Sequence, residues 1–236
     1  MKVDRRQLTQ TQWLNAMGVD PFWIVEAQPP VSESISDQIV PQTRSESPAD
    51  WSDLENQIRS CKRCALCQGR KQAVPGSGDV HADWLLVGEA PGADEDISGL
   101  PFVGQAGKLL DAMIAALGLK RDKGVYLANA VKCRPPENRT PDSREIDACK
   151  GFLDQQIQWI QPQVILALGR SAAYAVLGQE ASIQSLRGSI HFRQQGAQKI
   201  PVIVTYHPAY LLRQPGEKWK AWQDLLMAES VQLKEV

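Results

Sequence analysis

The sequence predicts an α/β fold: a three-layer α/β/α sandwich around a central, mostly parallel sheet of four strands. Three observations lead there. Apolar runs of four or five residues recur along the chain, too continuous for a sheet with one wet face. Segments with helical spacing of apolar residues separate them, the alternation of a parallel sheet covered on both faces. The three loops richest in glycine, proline and charge, 88–105, 129–140 and 206–213, all follow such runs, so one sheet edge should gather them.

Taken in order, Trp51, Leu54 and Ile58 mark one face of a helix that leads into Cys61-Lys-Arg-Cys64-Ala-Leu-Cys67. Trp84-Leu-Leu-Val87 reads as the first strand. Leu109, Leu110, Met113, Ile114 and Leu117 give a helix over 105–117 that Gly118 stops. Val125-Tyr-Leu-Ala128 is the second strand. Pro141 suits the first position of a long helix, with Thr140 as its N-cap. Val164-Ile-Leu-Ala-Leu168 is the third strand, ending at Gly169 before a helix to Leu177. Pro201-Val-Ile-Val-Thr205 is the fourth, and a closing helix covers roughly 216–233.

The 236 residues suffice for one sizeable domain, 51–236, behind an N-terminal extension, 1–50. Within the extension, Leu8, Trp13, Leu14 and Met17 suit a short helix, and residues 27–50 are rich in Gln, Pro, Ser and acids, the composition of a flexible linker. It could be a tethered docking peptide for a partner or pack back on its own domain. The extension holds four basic and seven acidic residues, so the rest of the chain carries a small positive surplus despite a net charge of −1. That excludes a generally basic nucleic-acid binder and is compatible with a local phosphate-binding patch. No stretch has the apolar core of a signal peptide or the length of a membrane span. We therefore expect a cytoplasmic monomer, in which five cysteines are metal ligands or free thiols rather than disulfides.

The loop after the first strand carries glycines at 88, 92, 99, 104 and 107 and acids at 89, 94, 95 and 96. Glycines let a substrate approach the backbone closely, and carboxylates there can position water or protons. It is not a phosphate-binding P-loop. Phe102 stands where that motif needs its first glycine, and Leu109 where it needs a magnesium-binding Ser or Thr. Cys61 and Cys64 form a C-x-x-C pair, while Cys133 and Cys149 are split by 15 residues. Four thiolates suit tetrahedral zinc or a cubane iron–sulfur cluster, and the wide split favours the cluster. Cys67 is left over as a buried free thiol.

Several stretches, in one order, together resemble the family 4 uracil-DNA glycosylases, the iron–sulfur branch of that superfamily. They are Cys61-x-x-Cys64, Gly88-Glu-Ala-Pro-Gly92 through Pro101-Phe-Val-Gly104, Asn129-Ala-Val-Lys-Cys-Arg-Pro-Pro136, Cys149 and His207-Pro-Ala-Tyr-Leu-Leu-Arg213. The match covers about 58–230 and omits the first fifty residues. The resemblance implies a DNA-repair enzyme that hydrolyses the N-glycosidic bond of uracil in DNA and leaves an abasic site. It implies that Phe102 stacks on the extruded uracil beside Gly88 and Ala90, and that Asn129 reads its Watson–Crick edge. His207 would stabilise charge on the departing base, and Glu89 and Glu95 are the candidates for placing the attacking water. Cys61, Cys64, Cys133 and Cys149 would hold a [4Fe-4S] cluster. Leu211 or Leu212 would fill the gap left by the flipped base, with Arg213, Lys132, Arg134 and Arg187 on DNA phosphates.

The chemistry explains these residue types. Bond cleavage leaves an electron-poor sugar and an anionic pyrimidine, which a neutral His favours only as charge builds. An aromatic platform offsets part of the cost of unstacking the base, a few kcal/mol. Asn offers donor and acceptor together. Ala90 stands where the best-known branch of the superfamily carries a water-activating Asp, so that burden falls on Glu89, Glu95 or the substrate itself. Three alternatives differ in class: a catalytically inactive iron–sulfur DNA-binding protein, a redox carrier, and a glycosylase for another deaminated base. A branch that links covalently to abasic DNA carries a His insert after its equivalent of Asn129, and Lys132-Cys-Arg-Pro-Pro136 has none.

Overall fold

The computed structural model describes residues 48–232. Most of the extension expected over 1–50 therefore lies outside the described residues. The structured part begins with helix α1, Pro48–Ser60, and a short α2, Leu66–Gly69. Strand β1 (Ser77–Gly78) and strand β2 (Trp84–Gly88) follow, then α3 (Ala93–Ser98), α4 (Gln105–Ala116) and β3 (Val125–Asn129). Next come α5 (Ser143–Ile160), β4 (Val164–Leu168), α6 (Arg170–Leu177), α7 (Ile183–Leu186), β5 (Ile190–Gln195) and β6 (Gln198–Thr205). Helices α8 (Pro208–Arg213) and α9 (Lys218–Gln232) close the chain.

The four expected strands are β2, β3, β4 and β6, all parallel, but the sheet has six strands in the order β1-β3-β2-β4-β6-β5. The two additions pair antiparallel at the edges. Strand β1 is only two residues long, and β5 alternates exposed and half-buried side chains, so neither has the apolar run that marks a buried strand. Both close otherwise open edges of the sheet.

Every residue of β2, β3 and β4 is buried because helices cover both faces. Leu85, Val87, Tyr126 and Ile165 pack with Leu54, Ile58, Phe152 and Leu153 of α1 and α5. Trp84, Leu86, Leu127 and Leu166 pack on the other face with Leu110, Met113, Trp222 and Leu225 of α4 and α9. The strand period of two thus divides the core into two layers. The long helix α5 starts two residues later than the sequence suggested. Asp142, not Thr140, is its N-cap, in a reciprocal capping box with Glu145.

Strand β2 is central, with β3 on one side and β4 then β6 on the other. The chain reverses direction across the sheet there, which opens a crevice at the carboxyl edge of β2. Residues Gly88, Asn129, Gly169 and His207 stand at the ends of, or just after, these four strands.

Candidate active site and cysteine centre

A cleft of about 490 Å³ opens at that crevice. Its walls include Glu89, Ala90, Glu95, Phe102, Asn129, His207 and Arg213, brought together from three loops. The ends of β2 and β3 are zipped past their last paired residues, with Ala130 N–H donating to Gly88 O (2.9 Å) and Val131 N–H to Glu89 O (3.2 Å). Asn129 is therefore held beside Gly88, and it is only 3% exposed. A Cβ on Gly88 would lie 2.3 Å from Asn129 Oδ1 and 2.4 Å from Phe102 Cζ. Only glycine allows these two side chains to close over the strand end.

Phe102 adopts a left-handed backbone (φ 55°) that costs a non-glycine residue on the order of 1–3 kcal/mol. Neighbouring groups hold it there. Arg121 donates from Nη2 to Phe102 O at 2.6 Å and from Nη1 to Pro101 O at 3.0 Å, and its Nε is paired with Asp111. A Cβ on Gly107 would fall 1.8 Å from Phe102 O, so α4 can approach this turn only through a glycine. The Phe102 ring lies 5.9 Å from the His207 ring at 29°, a loosely stacked pair. Sequence reading missed Arg121 because it acts from outside every loop motif.

His207 is the N-cap of α8, and its Nδ1 accepts the N–H of Ala209 at 3.2 Å. The neutral ring must then carry its proton on Nε2. Burial, aided by the Arg213 charge and opposed by Glu95, pulls His207 down to about 4, so it is neutral at pH 7. The cleft thus holds a neutral imidazole with one N–H to donate.

The two acids differ in kind. Glu95 Oε2 accepts Gly92 N–H (3.0 Å), and Oε1 accepts the N–H groups of Val103 (2.9 Å) and Gly104 (3.2 Å). Both oxygens brace the loop from the cleft wall. Glu89 accepts a single short bond from Ser171 Oγ (2.6 Å). Ser171 was missed, although it lies just past the end of strand β4 at the same sheet edge.

The DNA-contact candidates divide as well. Lys132 is 1% exposed and donates from Nζ to Asn129 O (2.9 Å) and Gln156 Oε1 (2.7 Å), so it cannot reach a phosphate. Burial pulls it down to about 8. Arg187 donates to Asp224 Oδ2 and Lys220 O, both at 2.7 Å, and lies over the Tyr206 ring; it is a structural cation. Leu211 is 1% exposed in the core, which removes it as a wedge, whereas Leu212 is 44% exposed. Arg213 is exposed at the cleft. Arg134 is half-buried, bonded to Asn138 Oδ1 (2.7 Å), and does not line the cleft. Arg139, not foreseen, does line it, held by two bonds to Glu145.

Further along the segment that begins at Asn129, Lys132 and Cys133 line a second hollow, which all five cysteines face together with Arg63 and Arg70. Among the described residues no three such ligands converge on a single point. Cys149 interacts electrostatically with Cys64 and Cys61, and Cys133 with Cys149 and Cys64. Burial raises the Cys64 and Cys149 thiols and pushes Cys133 up to about 11, even though Arg70 Nη1 donates to Cys133 Sγ at 2.8 Å. Thiols so desolvated stay protonated unless a cationic group binds them. Thiols gathered with guanidinium and ammonium groups in one hollow are the donor set that a metal–sulfur centre would use.

No described helix is long and apolar enough to cross a membrane. The profile of the Uracil DNA glycosylase superfamily matches residues 75–226. The type-4 uracil-DNA glycosylase of Archaeoglobus fulgidus is 42% identical over 69% of this chain and 83% of its own. That of Thermotoga maritima is 40% identical over 77% of this chain and 94% of its own. A type-5 uracil-DNA glycosylase of Thermus thermophilus, by comparison, is 31% identical over 70% of this chain and 90% of its own. With its profile match, its identities and a cleft assembled from the motifs that follow three parallel strands, the chain belongs to the uracil-DNA glycosylase superfamily, on the type-4 branch.

Proposed function

We propose that the protein excises uracil from DNA by hydrolysing its N-glycosidic bond, releasing free uracil and leaving an abasic site. The carrying observation is the juxtaposition of Asn129, Phe102 and a neutral His207 in one cleft at the sheet edge. Phe102 stacks on the flipped base, and the buried Asn129 amide pairs with its edge. His207 donates its Nε2 hydrogen to the pyrimidine oxygen as negative charge gathers there, an interaction that strengthens toward the transition state. Glu89, oriented by Ser171, positions the water that captures the electron-poor sugar carbon. Leu212 enters the gap in the duplex, and Arg213 and Arg139 line the approach for backbone phosphate.

Cys61, Cys64, Cys133 and Cys149 are proposed to hold a [4Fe-4S] cluster, with Cys67 outside the ligand set. When bound, such a cluster supplies four metal–thiolate bonds that tie the Cys133 loop to α1 and α5. The protein so assembled is read as a cytoplasmic monomer acting on uracil-containing DNA, in keeping with its unpaired cysteines. The test compares wild type with Asn129→Ala and His207→Ala in single-turnover cleavage of an oligonucleotide carrying one deoxyuridine, with alkali revealing abasic sites. Rates roughly 10²–10³-fold lower in each variant, the loss typical of one transition-state donor, are expected. Wild-type rates in either variant would remove that residue from the pocket.

A further inference from the structure

Lys132 is the least expected side chain in the molecule. An ammonium is almost never fully buried unless it is paired, and this one is 1% exposed. Its two hydrogen-bond acceptors, Asn129 O and Gln156 Oε1, are both uncharged. The ion pairs of the described residues do not include it. It helps to line the hollow that Cys133 and Cys149 also face. Gln156 is itself anchored, donating from Nε2 to Pro75 O at 2.9 Å, and Val74 N–H donates to Lys132 O at 2.8 Å.

Resting on the proposed function, we infer that Lys132 is a positioning residue that couples the cysteine centre to the base-reading Asn129. The residue before Cys133 reaches back to the carbonyl of Asn129 and fastens the strand end through Gln156 to the 74–75 segment. Its charge is balanced from the other side by the negative centre the thiolates form. A buried cation is costly without a counter-charge, so the tether and the thiolate centre stabilise one another. A methionine in its place would fill the space yet lack both the donor and the charge.

The experiment uses the intact holoprotein as Lys132→Met and Gln156→Leu. The second keeps the ammonium and removes only its side-chain anchor. Expected for Lys132→Met are retained iron, wild-type affinity for uracil-free duplex, uracil excision slower by roughly 10–100-fold, as for small misplacements of a reacting group, and a cluster midpoint shifted negative. Removing a nearby cation makes an added electron less favourable, a shift that mere loosening of the fold does not produce. Gln156→Leu should slow excision with an unshifted midpoint. Unchanged excision in both variants overturns the tether, and an unchanged midpoint in Lys132→Met overturns the charge balance. If Lys132→Met does not fold, Gln156→Leu alone decides the tether. Failure of wild type to release uracil would sink the proposed function instead, leaving the midpoint comparison standing.

Discussion

The base cleft and the cysteine hollow draw on one short segment, Asn129 lining the first and Lys132 and Cys133 the second, and are built by opposite means. The cleft is held by backbone. Gly88 and Gly107 permit contacts no Cβ would allow, and the Glu95 oxygens accept three main-chain N–H groups. Arg121 likewise grips carbonyls. The hollow is lined by side chains, the thiols of helices and loops, those of Cys133 and Cys149 buried, with Arg70 and Lys132 beside them. The cleft should therefore be most sensitive to added atoms, and the hollow to lost charge or lost ligands.

The largest effect is expected from Gly88→Ala. Its methyl must displace Asn129 or Phe102, so excision should fall by about 10² or more in single turnover while thermal unfolding shows a folded chain. A folded Gly88→Ala with wild-type excision would break the contrast. Next is Cys133→Ser, expected to lower folded yield and bleach the brown absorbance of the proposed cluster. A colourless, stable and fully active variant would show the hollow to be dispensable.

A pH profile sharpens the electrostatic side. His207 lies at about 4 in the folded protein, below its ordinary 6.5. Excision should stay level on this group's account from pH 8 to about 5.5 and decline toward pH 4. The unfolded chain binds the proton first, so this imidazole lowers stability as pH falls from about 6.5 to about 4 and has no effect above that window. Arg213→Ala removes a charge that depresses His207 and should move the decline to higher pH; a profile that does not move would separate it from His207. The smallest catalytic effect is expected of the adjacent leucines. Leu212→Ala should slow excision from duplex more than from single strands, with little change in stability. Leu211→Ala, in the core, should cost about 2–5 kcal/mol of stability. Equal thermal shifts in the pair would contradict their assigned places.

Much of this was legible in the sequence, for local reasons. The apolar runs of the four parallel strands and the motif loops behind them are contiguous, so the convergence of Glu89, Phe102, Asn129 and His207 follows from topology. What escaped depends on distant partners. Nothing local marks Lys132 as buried, since its acceptor Gln156 lies a helix away. Arg187 reads as a surface cation until Asp224 and Tyr206 are seen beside it. Leu211 and Leu212 are one residue apart in sequence, and only the packing of α8 against the core decides which is exposed. The edge strands β1 and β5 lack an apolar run because each is covered on fewer sides.

The most direct test of the central reading is single-turnover release of free base by the wild-type holoprotein, measured on two oligonucleotides differing only in deoxyuridine or thymidine at one position. Uracil released from the first, with thymine left in place on the second, is the expected result. Tight binding to both with no base released from either would contradict the glycosylase and leave a DNA-binding protein.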